Sequence, residues 1–574
     1  MMHMKKGAVV VLAPLMALHL AAAAEAGLAR KAPPPPKAPG PRLGNPRPAG
    51  YRRVVNALRA WNLAVAGRIL SEIRQGAPGL PEWLALEGTL AYLQGDYAKS
   101  IARLNEALAK SPGDGEWLEL RLHVKQSLAA VQGFSIHRTE HFEIRYDAKR
   151  DSILLPYMAQ TLEAAYRVFG KELGVKLGGR VRVEIYSDPD RFHKGSTIRR
   201  SDIEKGVVGL CKFNKMMLIS PAVLQRGYRW LDTAAHEFVH YLITTGTKNK
   251  TPIWLHEGIA KYFEKKWRGR NRPHLNPIDE VLLVKARKSD SFISFKKMEP
   301  SLIYLKTAEE VQLAYAEGAS VTDFILRRGG KGSLRRVLRA IRDAKPEKKA
   351  PSSGQKNTIR NARPSLVELE STGPPPSAGA GLQRLFGLDL EGFEEVWKKD
   401  LAAQNLRAHQ GAQVRKFRLR ATGPVGGSAA DLALLKSAVA RRRTRLADRL
   451  WIRGRTKAAW VEYRRALRDE PNSPQLLNRM ARLELRLGRP ARALRAAKKA
   501  ASVDPDFGPS YVHMGVAFER TGDKKAARAA WLEAIHINPF NPIPHERLAL
   551  IYQEGGLLKL ARRESGLARQ LRGN

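Results

Sequence analysis

The residues with the clearest chemical potential are two histidines and two glutamates in one short stretch. His236, Glu237 and His240 form an HExxH pattern, and Glu257 follows after a short polar turn. Residues four apart share a face of a helix, so both imidazoles would meet a single ion. Two histidines and one carboxylate, with a position left open for water, are a common catalytic zinc set. The pattern predicts a Zn²⁺ site with Glu237 beside that water as general base.

The alternative for HExxH is an ordinary amphipathic helix that carries two polar residues on one face. The flanking residues favour a helix buried against a core, because apolar side chains recur at helical spacing. They are Leu231, Ala234, Ala235, Phe238, Val239, Leu242 and Ile243.

The string from Trp254 to Glu264, WLHEGIAKYFE, adds a resemblance. It resembles the gluzincin metallopeptidases, in which a glutamate ligand lies on the helix after HExxH. The closer resemblance is to the peptidase MA-like domain of exported bacterial proteins, over residues 137–404. That resemblance implies a thermolysin-like α+β domain with a small mixed sheet. It also implies that His236, His240 and Glu257 are the metal ligands.

Two differences from related metallopeptidases narrow the expected class of peptidase. Ile243 and Gly246 stand where metzincin spacing would require glycine and histidine. The chain also lacks the Gly-x-Met-Glu-Asn segment with which aminopeptidases hold a substrate amino terminus. An endopeptidase is therefore the expectation.

Three further residues have open roles. Tyr315 is the candidate donor to a developing oxyanion, and a core aromatic position is its alternative. His256, beside Glu257, is expected to support the site or lie at the surface rather than bind metal. Glu264 shares the helix face of Glu257 and could hold a ligand, but a solvent-facing carboxylate is the preferred interpretation.

Helical repeats flank this region. Gly454, Gly488, Gly522 and Gly556 recur every 34 residues, and Pro471, Pro505 and Pro539 recur with the same period. A second, weaker pattern of that length covers residues 51–133. The period and its small-residue positions resemble the tetratricopeptide repeat, whose arrays form all-α solenoids that bind peptides or proteins.

Between the repeats, alternating apolar residues predict strands at His141–Tyr146 and Val181–Tyr186. Two more strands are predicted at Val207–Phe213 and Met216–Ile219, joined by Asn214 and Lys215. The stretch Val207–Cys211 could form a sheet edge that binds substrate backbone.

The N-terminus has the pattern of a signal peptide: Lys5 and Lys6 precede an apolar run from Gly7 to Ala24. An uncleaved anchor is the alternative. No cysteine lies at the end of the apolar run, so a lipid anchor there is excluded. A periplasmic or secreted location is expected. The sequence predicts the following segments. A signal peptide (1–26) and a proline-rich linker (27–50) precede a first set of repeats (51–133). A metallopeptidase domain (134–407) with a disordered insert (345–380) follows, and a linker (408–431) leads to a second set of repeats (432–574).

The formal net charge of +45 favours anionic partners such as an acidic envelope surface, or simply solvates helix faces. The chain lacks a recognisable nucleic-acid reader, and export disfavours that class. The single cysteine, Cys211, excludes an intrachain disulfide. Two functions remain: an exported zinc metallopeptidase whose repeats recruit substrate or partner proteins, and a non-catalytic repeat scaffold with a metal-bound or vestigial peptidase domain.

Overall fold

The computed structural model describes residues 49–573 apart from short gaps and two longer ones. The gaps are residues 77–78, 205, 270, 272, 299–301, 303–304, 345–378, 410–411, 413–418 and 421–430. The expected signal peptide, nearly all of the proline-rich linker and nearly all of the insert lie outside the described residues, as does most of the linker at 408–431. None of the described helices has the length and apolarity needed to cross a membrane.

The N-terminal region consists of five helices in its described residues. Side chains of Asn62, Asp96 and Asp114 cap three of them by accepting backbone N–H groups, and Gly95 (φ 86°) makes one left-handed turn. The helices are α1 (Tyr51–Arg59), α2 (Leu63–Arg74), α3 (Pro81–Gln94), α4 (Tyr97–Lys110) and α5 (Gly115–Val131).

A five-stranded mixed sheet follows, in the order β1-β2-β3-β5-β4. The three central strands are parallel, and each edge strand pairs antiparallel with its neighbour. The strands are β1 (Ser135–Arg138), β2 (Phe142–Tyr146), β3 (Val181–Tyr186), β4 (Gly209–Lys212) and β5 (Lys215–Ile219). The small mixed sheet is confirmed. The predicted turn was one residue late, because Phe213 and Asn214 both take positive φ and form the hairpin.

Twelve α-helices in the described part of residues 148–403 complete the central region. They are α6 (Ala148–Asp151), α7 (Leu155–Leu173), α8 (Pro189–Ser196), α9 (Arg200–Glu204), α10 (Trp230–Thr247), α11 (Ile253–Phe263), α12 (Pro277–Ser289), α13 (Phe295–Met298), α14 (Ala308–Gly329), α15 (Ser333–Asp343), α16 (Gly379–Phe386) and α17 (Leu390–Ala403). Both sheet faces are buried: Phe142 packs on Phe238 of α10, and Tyr186 packs on Phe192 of α8.

Eight more helices form four hairpins at the C-terminus. They are α18 (Ala438–Ile452), α19 (Thr456–Asp469), α20 (Pro474–Arg486), α21 (Pro490–Val503), α22 (Gly508–Arg520), α23 (Lys524–Ile537), α24 (Pro542–Glu554) and α25 (Leu558–Gly573). Each hairpin turns at a glycine with φ between 70° and 80°, which explains the 34-residue glycine period. Gly515 lies directly against Trp531, where a Cβ would come within 2.5 Å of the ring. The repeat prediction is confirmed.

The C-terminal repeats are joined to the start of α10. The Arg229 side chain, just before α10, donates to Asp506 at 2.6 Å and to Glu533 at 2.7 Å. The Trp230 indole donates to the carbonyl of Ile535, and the Tyr228 amide to that of Ile537. These charged and backbone contacts fix α10 relative to α22 and α23.

The N-terminal helices contact the sheet through a buried polar cluster. Lys215 of β5 donates to Glu184 of β3 at 2.7 Å, and the Tyr97 hydroxyl of α4 donates to the same carboxylate. Lysine and glutamate are fully buried here, so each compensates the other's lost hydration. The N-terminal helices are therefore linked to the sheet, and the C-terminal repeats to α10.

Candidate metal centre

Helices α10 and α11 bring the three predicted ligands to one point. The Nε2 atoms of His236 and His240 lie 3.1 Å apart. The Oε2 atom of Glu257 lies 3.3 Å from the first and 3.2 Å from the second. Ligand atoms around a tetrahedral zinc ion, at bonds of about 2.0–2.2 Å, lie about 3.3–3.6 Å apart. The observed spacing is close to the one that such a site needs.

The chemistry of this donor set also fits a cation. Glu257 Oε2 is buried and makes no hydrogen bond among the described residues. The two imidazole nitrogens beside this oxygen replace its lost hydration only if a proton or a cation lies between them, since a buried carboxylate oxygen that accepts no hydrogen bond is costly. The residues present therefore fit a divalent metal of the zinc type, which His236, His240 and Glu257 would hold.

A close helix contact determines where Glu257 lies. Gly258 of α11 meets Gly318 of α14 backbone to backbone, so that a Cβ on Gly318 would come within 2.8 Å of the Gly258 Cα. Neither position has room for a side chain. This contact holds the residue after Glu257 against a long buried helix and so limits movement of the carboxylate.

Each ligand imidazole has a partner at its other nitrogen. His240 Nδ1 lies 2.5 Å from His256 Nδ1, and His256 Nε2 lies 3.3 Å from the Thr244 hydroxyl. If His240 directs the lone pair of Nε2 to a metal, its Nδ1–H donates to His256, which then directs its own N–H to Thr244. Burial and the nearby His240 lower the pKa of His256 to about 3, so it stays neutral.

Glu264 lies against the imidazole of His236, the other predicted histidine ligand. Its Oε2 lies 3.5 Å from His236 Nδ1, and its Oε1 accepts from Lys261 at 2.9 Å. The expectation of a solvent-facing Glu264 is wrong, because its side chain is only 13% exposed. The signal was present in the sequence: Glu257 and Glu264 lie two turns apart on one helix face.

Glu237 lies beside this cluster and under the sheet edge. It is 6% exposed, and its Oε1 would be 2.7 Å from a Cβ on Gly209 of β4. Burial raises its pKa above the usual range, although His240 and His236 act against the shift. The backbone N–H of Cys211 lies close enough to the carboxylate to oppose this pKa shift as well. A carboxylate of raised pKa is suited to accept and return a proton.

Tyr315 of α14 lies near the same carboxylates. Its pKa is raised well above the ordinary value, first by Glu257, then by burial, and further by Glu237 and Glu264. The hydroxyl therefore keeps its proton and can donate a hydrogen bond. Burial, followed by Glu237, also raises the pKa of the Cys211 thiol, which is consistent with a structural cysteine.

A second group of possible ligands, Glu140, His141 and Glu163, is already satisfied. The Glu163 carboxylate accepts from the Thr139 hydroxyl at 2.6 Å, and from the backbone N–H of His141 at 3.0 Å. Its other oxygen lies 2.7 Å from the His141 ring. This cluster links the turn between β1 and β2 to α7.

Comparison with known proteins supports the repeats. No family model matches the chain. A curated relative, small glutamine-rich tetratricopeptide repeat-containing protein 2 of Mycosarcoma maydis, is 30% identical over 92 residues. That match covers 16% of this chain, and it spans only 26% of the relative.

Three solved structures are also similar. MamA is 21% identical (24% of this chain, 74% of that chain, TM-score 0.22), and a thermophilic TPR protein of Thermus thermophilus is 25% identical (23% and 74%, TM-score 0.21). The APC/C hetero-tetramer Cut9-Hcn1 is 10% identical (91% and 79%, TM-score 0.25). These TM-scores are too low for the superpositions to define a shared overall fold. The 34-residue helical hairpins and the curated match identify tetratricopeptide-type repeats, an architecture that serves as a protein-interaction scaffold.

The contact between His240 and His256 generates a test. Replacing His256 with Phe removes the acceptor for His240 Nδ1–H, so zinc affinity should fall by about 10- to 100-fold. His256→Gln keeps an acceptor oxygen and should recover much of that loss. Competition with a chromophoric chelator measures both, with exposed His137→Phe as the control. Equal zinc affinity in wild type and His256→Phe would contradict a supporting role.

Proposed function

We propose that this chain is a zinc-dependent metallopeptidase of the gluzincin type, built into a tetratricopeptide-repeat scaffold. The observation that carries the proposal is the convergence of His236, His240 and Glu257, with the buried Glu237 beside them. A merely structural zinc site is closed by four protein ligands, whereas catalytic sites keep a position for water. Three protein ligands next to a free general base favour hydrolysis.

The reaction follows from these roles. A bound zinc ion would acidify water and polarise the scissile carbonyl. Glu237 takes the proton from the attacking water and returns it to the leaving amine. The Tyr315 hydroxyl donates a hydrogen bond to the developing oxyanion, which is worth more in a buried site than in water. His256 and Glu264 hold the two imidazoles in the orientation that the site needs.

The edge strand β4 is the proposed platform for the substrate backbone. In an antiparallel pair, every second residue of a strand forms hydrogen bonds with its neighbour strand. Because the Ile219 N–H donates to the Val208 carbonyl, residues 208, 210 and 212 are the ones bonded to β5. Gly209 and Cys211 therefore direct their backbone groups outward, beside Glu237. An extended peptide could add to this edge, as substrates of an endopeptidase would.

The repeats would bring protein substrates or partners to this site. Together with the signal-like N-terminus, they point to an exported enzyme acting in the periplasm or outside the cell. The second candidate function is a repeat scaffold whose central domain binds metal without hydrolysis. The confirmed repeats and the curated match favour this alternative, so the experiments need to separate the two functions.

The role of Glu237 can be tested directly. Glu237→Gln keeps the shape of the side chain but cannot accept a proton, so peptide hydrolysis should fall by about 10²- to 10⁴-fold while zinc content is unchanged. Cleavage of a peptide library and elemental analysis measure the two. Glu140→Gln changes an 82% exposed carboxylate and should have no effect.

The outcomes separate the two functions. A Glu237→Gln enzyme as active as wild type would remove the base role. Zinc-loaded wild type that cleaves no peptide, yet still captures a protein through its repeats, would support the scaffold.

Strand addition at β4 has its own signature. Single N-methylation of substrate amides removes one donor at a time, and alternate residues of a strand face the same neighbour. The Michaelis constant should therefore rise about threefold to tenfold at alternate positions and stay unchanged at the positions between. A steady-state scan of such peptides measures the pattern. Uniform or absent effects would contradict binding along this edge.

A further inference from the structure

A cavity of about 660 Å³ lies at the far end of the HExxH helix. It is enclosed by α1 and α2, the last turns of α7 and α10, and α15. Its volume is within the range of small-molecule sites, about 300–1,000 Å³. None of the proposed metal ligands lines it, so it is distinct from the candidate metal centre.

The floor of the cavity is aliphatic. It is formed by side chains that are themselves buried, and which offer no polar atom to a ligand. They are Ala57, Ile69, Leu173, Leu242, Ile243 and Leu338. An alkyl chain that enters the cavity removes its own apolar surface from water, which gains about 25 cal/mol per Å². A small hydrophilic ion would gain nothing from it.

The rim has the opposite character. Six lining residues are cationic, and none of the 21 described lining residues is a carboxylate. The six are Arg53, Lys176, Lys248, Arg335, Arg339 and Arg342. Like charges around one concave surface reinforce each other's potential and attract an anion.

Few of these cations form a salt bridge. Arg342 pairs with the exposed Asp343 at 2.8 Å, and Arg335 donates to the carbonyl of Lys171. The other four rim cations form no salt bridge among the described residues. The Asp343 carboxylate also interacts electrostatically with Lys248 and Arg339, so one exposed carboxylate partly offsets a rim of six cations.

We propose that this cavity binds an anionic amphiphile. Its alkyl chain would lie on the aliphatic floor, and its carboxylate, phosphate or sulfate head would meet the cationic rim. The aliphatic floor and the cationic rim together determine the ligand class. A nucleic acid or an acidic peptide would pair with the rim cations but place no apolar group on the floor. A neutral lipid would fill the floor but leave the cations unpaired.

Three small probes separate head from tail. Laurate carries both features, dodecylamine keeps the tail with a positive head, and acetate keeps the head without a tail. Calorimetric titration of the full chain should show one laurate site, with dodecylamine and acetate at least about tenfold weaker, or about 1.4 kcal/mol. An acidic peptide and phosphate, titrated separately, should also bind at least about tenfold more weakly.

Substitutions then locate the site. Lys176→Gln with Arg339→Gln removes two exposed rim cations and should weaken laurate about tenfold without affecting folding. Lys125→Gln with Lys194→Gln removes two exposed cations that do not line the cavity and should leave affinity unchanged. The proposal is overturned if laurate fails to bind, if acetate, phosphate, dodecylamine or the acidic peptide binds equally well, or if both double variants behave alike.

Discussion

Three electron-pair donors held within 3.3 Å of one another are the constraint on which the centre of this molecule depends. Two neutral imidazole nitrogens and a carboxylate oxygen repel each other unless a proton or a metal ion lies between them. The glycine contact between α11 and α14 keeps Glu257 from relaxing away. Much of the surrounding polar structure serves the same end, because His256 and Glu264 fix the outer nitrogens of the imidazoles.

The repeats are part of the same frame and do not form separate appendages. Arg229 precedes the HExxH helix by one residue and makes ion pairs with two carboxylates of the C-terminal repeats, Asp506 in the turn before α22 and Glu533 in α23. Tyr157 of α7 donates to the buried Glu564 of the last helix, which also contacts His545. A partner bound to these repeats would therefore be held at a fixed distance from the candidate metal centre, which suits either recruitment of a substrate or assembly of a scaffold.

Local patterns predicted the repeats and four of the five described strands, because the repeat period and the turn residues can be recognised in the sequence; the short edge strand β1 was not predicted. The 34-residue glycines mark left-handed turns, and alternation marks β2 and β3. Contacts between distant segments were harder. Three features depend on tertiary packing: His256 faces His240, the Cys211 amide lies near Glu237, and cations from α1, α15 and the segments after α7 and α10 surround one cavity. The position of Glu264 on the same helix face as Glu257 could have been predicted from helical spacing. Its burial could not, because it depends on packing against segments later in the sequence.

The central claim is that His236, His240 and Glu257 hold zinc. Anomalous diffraction recorded on both sides of the zinc edge, from crystals of the full chain grown with zinc, tests it most directly. The account predicts one strong anomalous peak, about 2.0–2.2 Å from the two Nε2 atoms and the Glu257 carboxylate. Absence of a peak between these three side chains, or a peak bound only elsewhere on the chain, would contradict it.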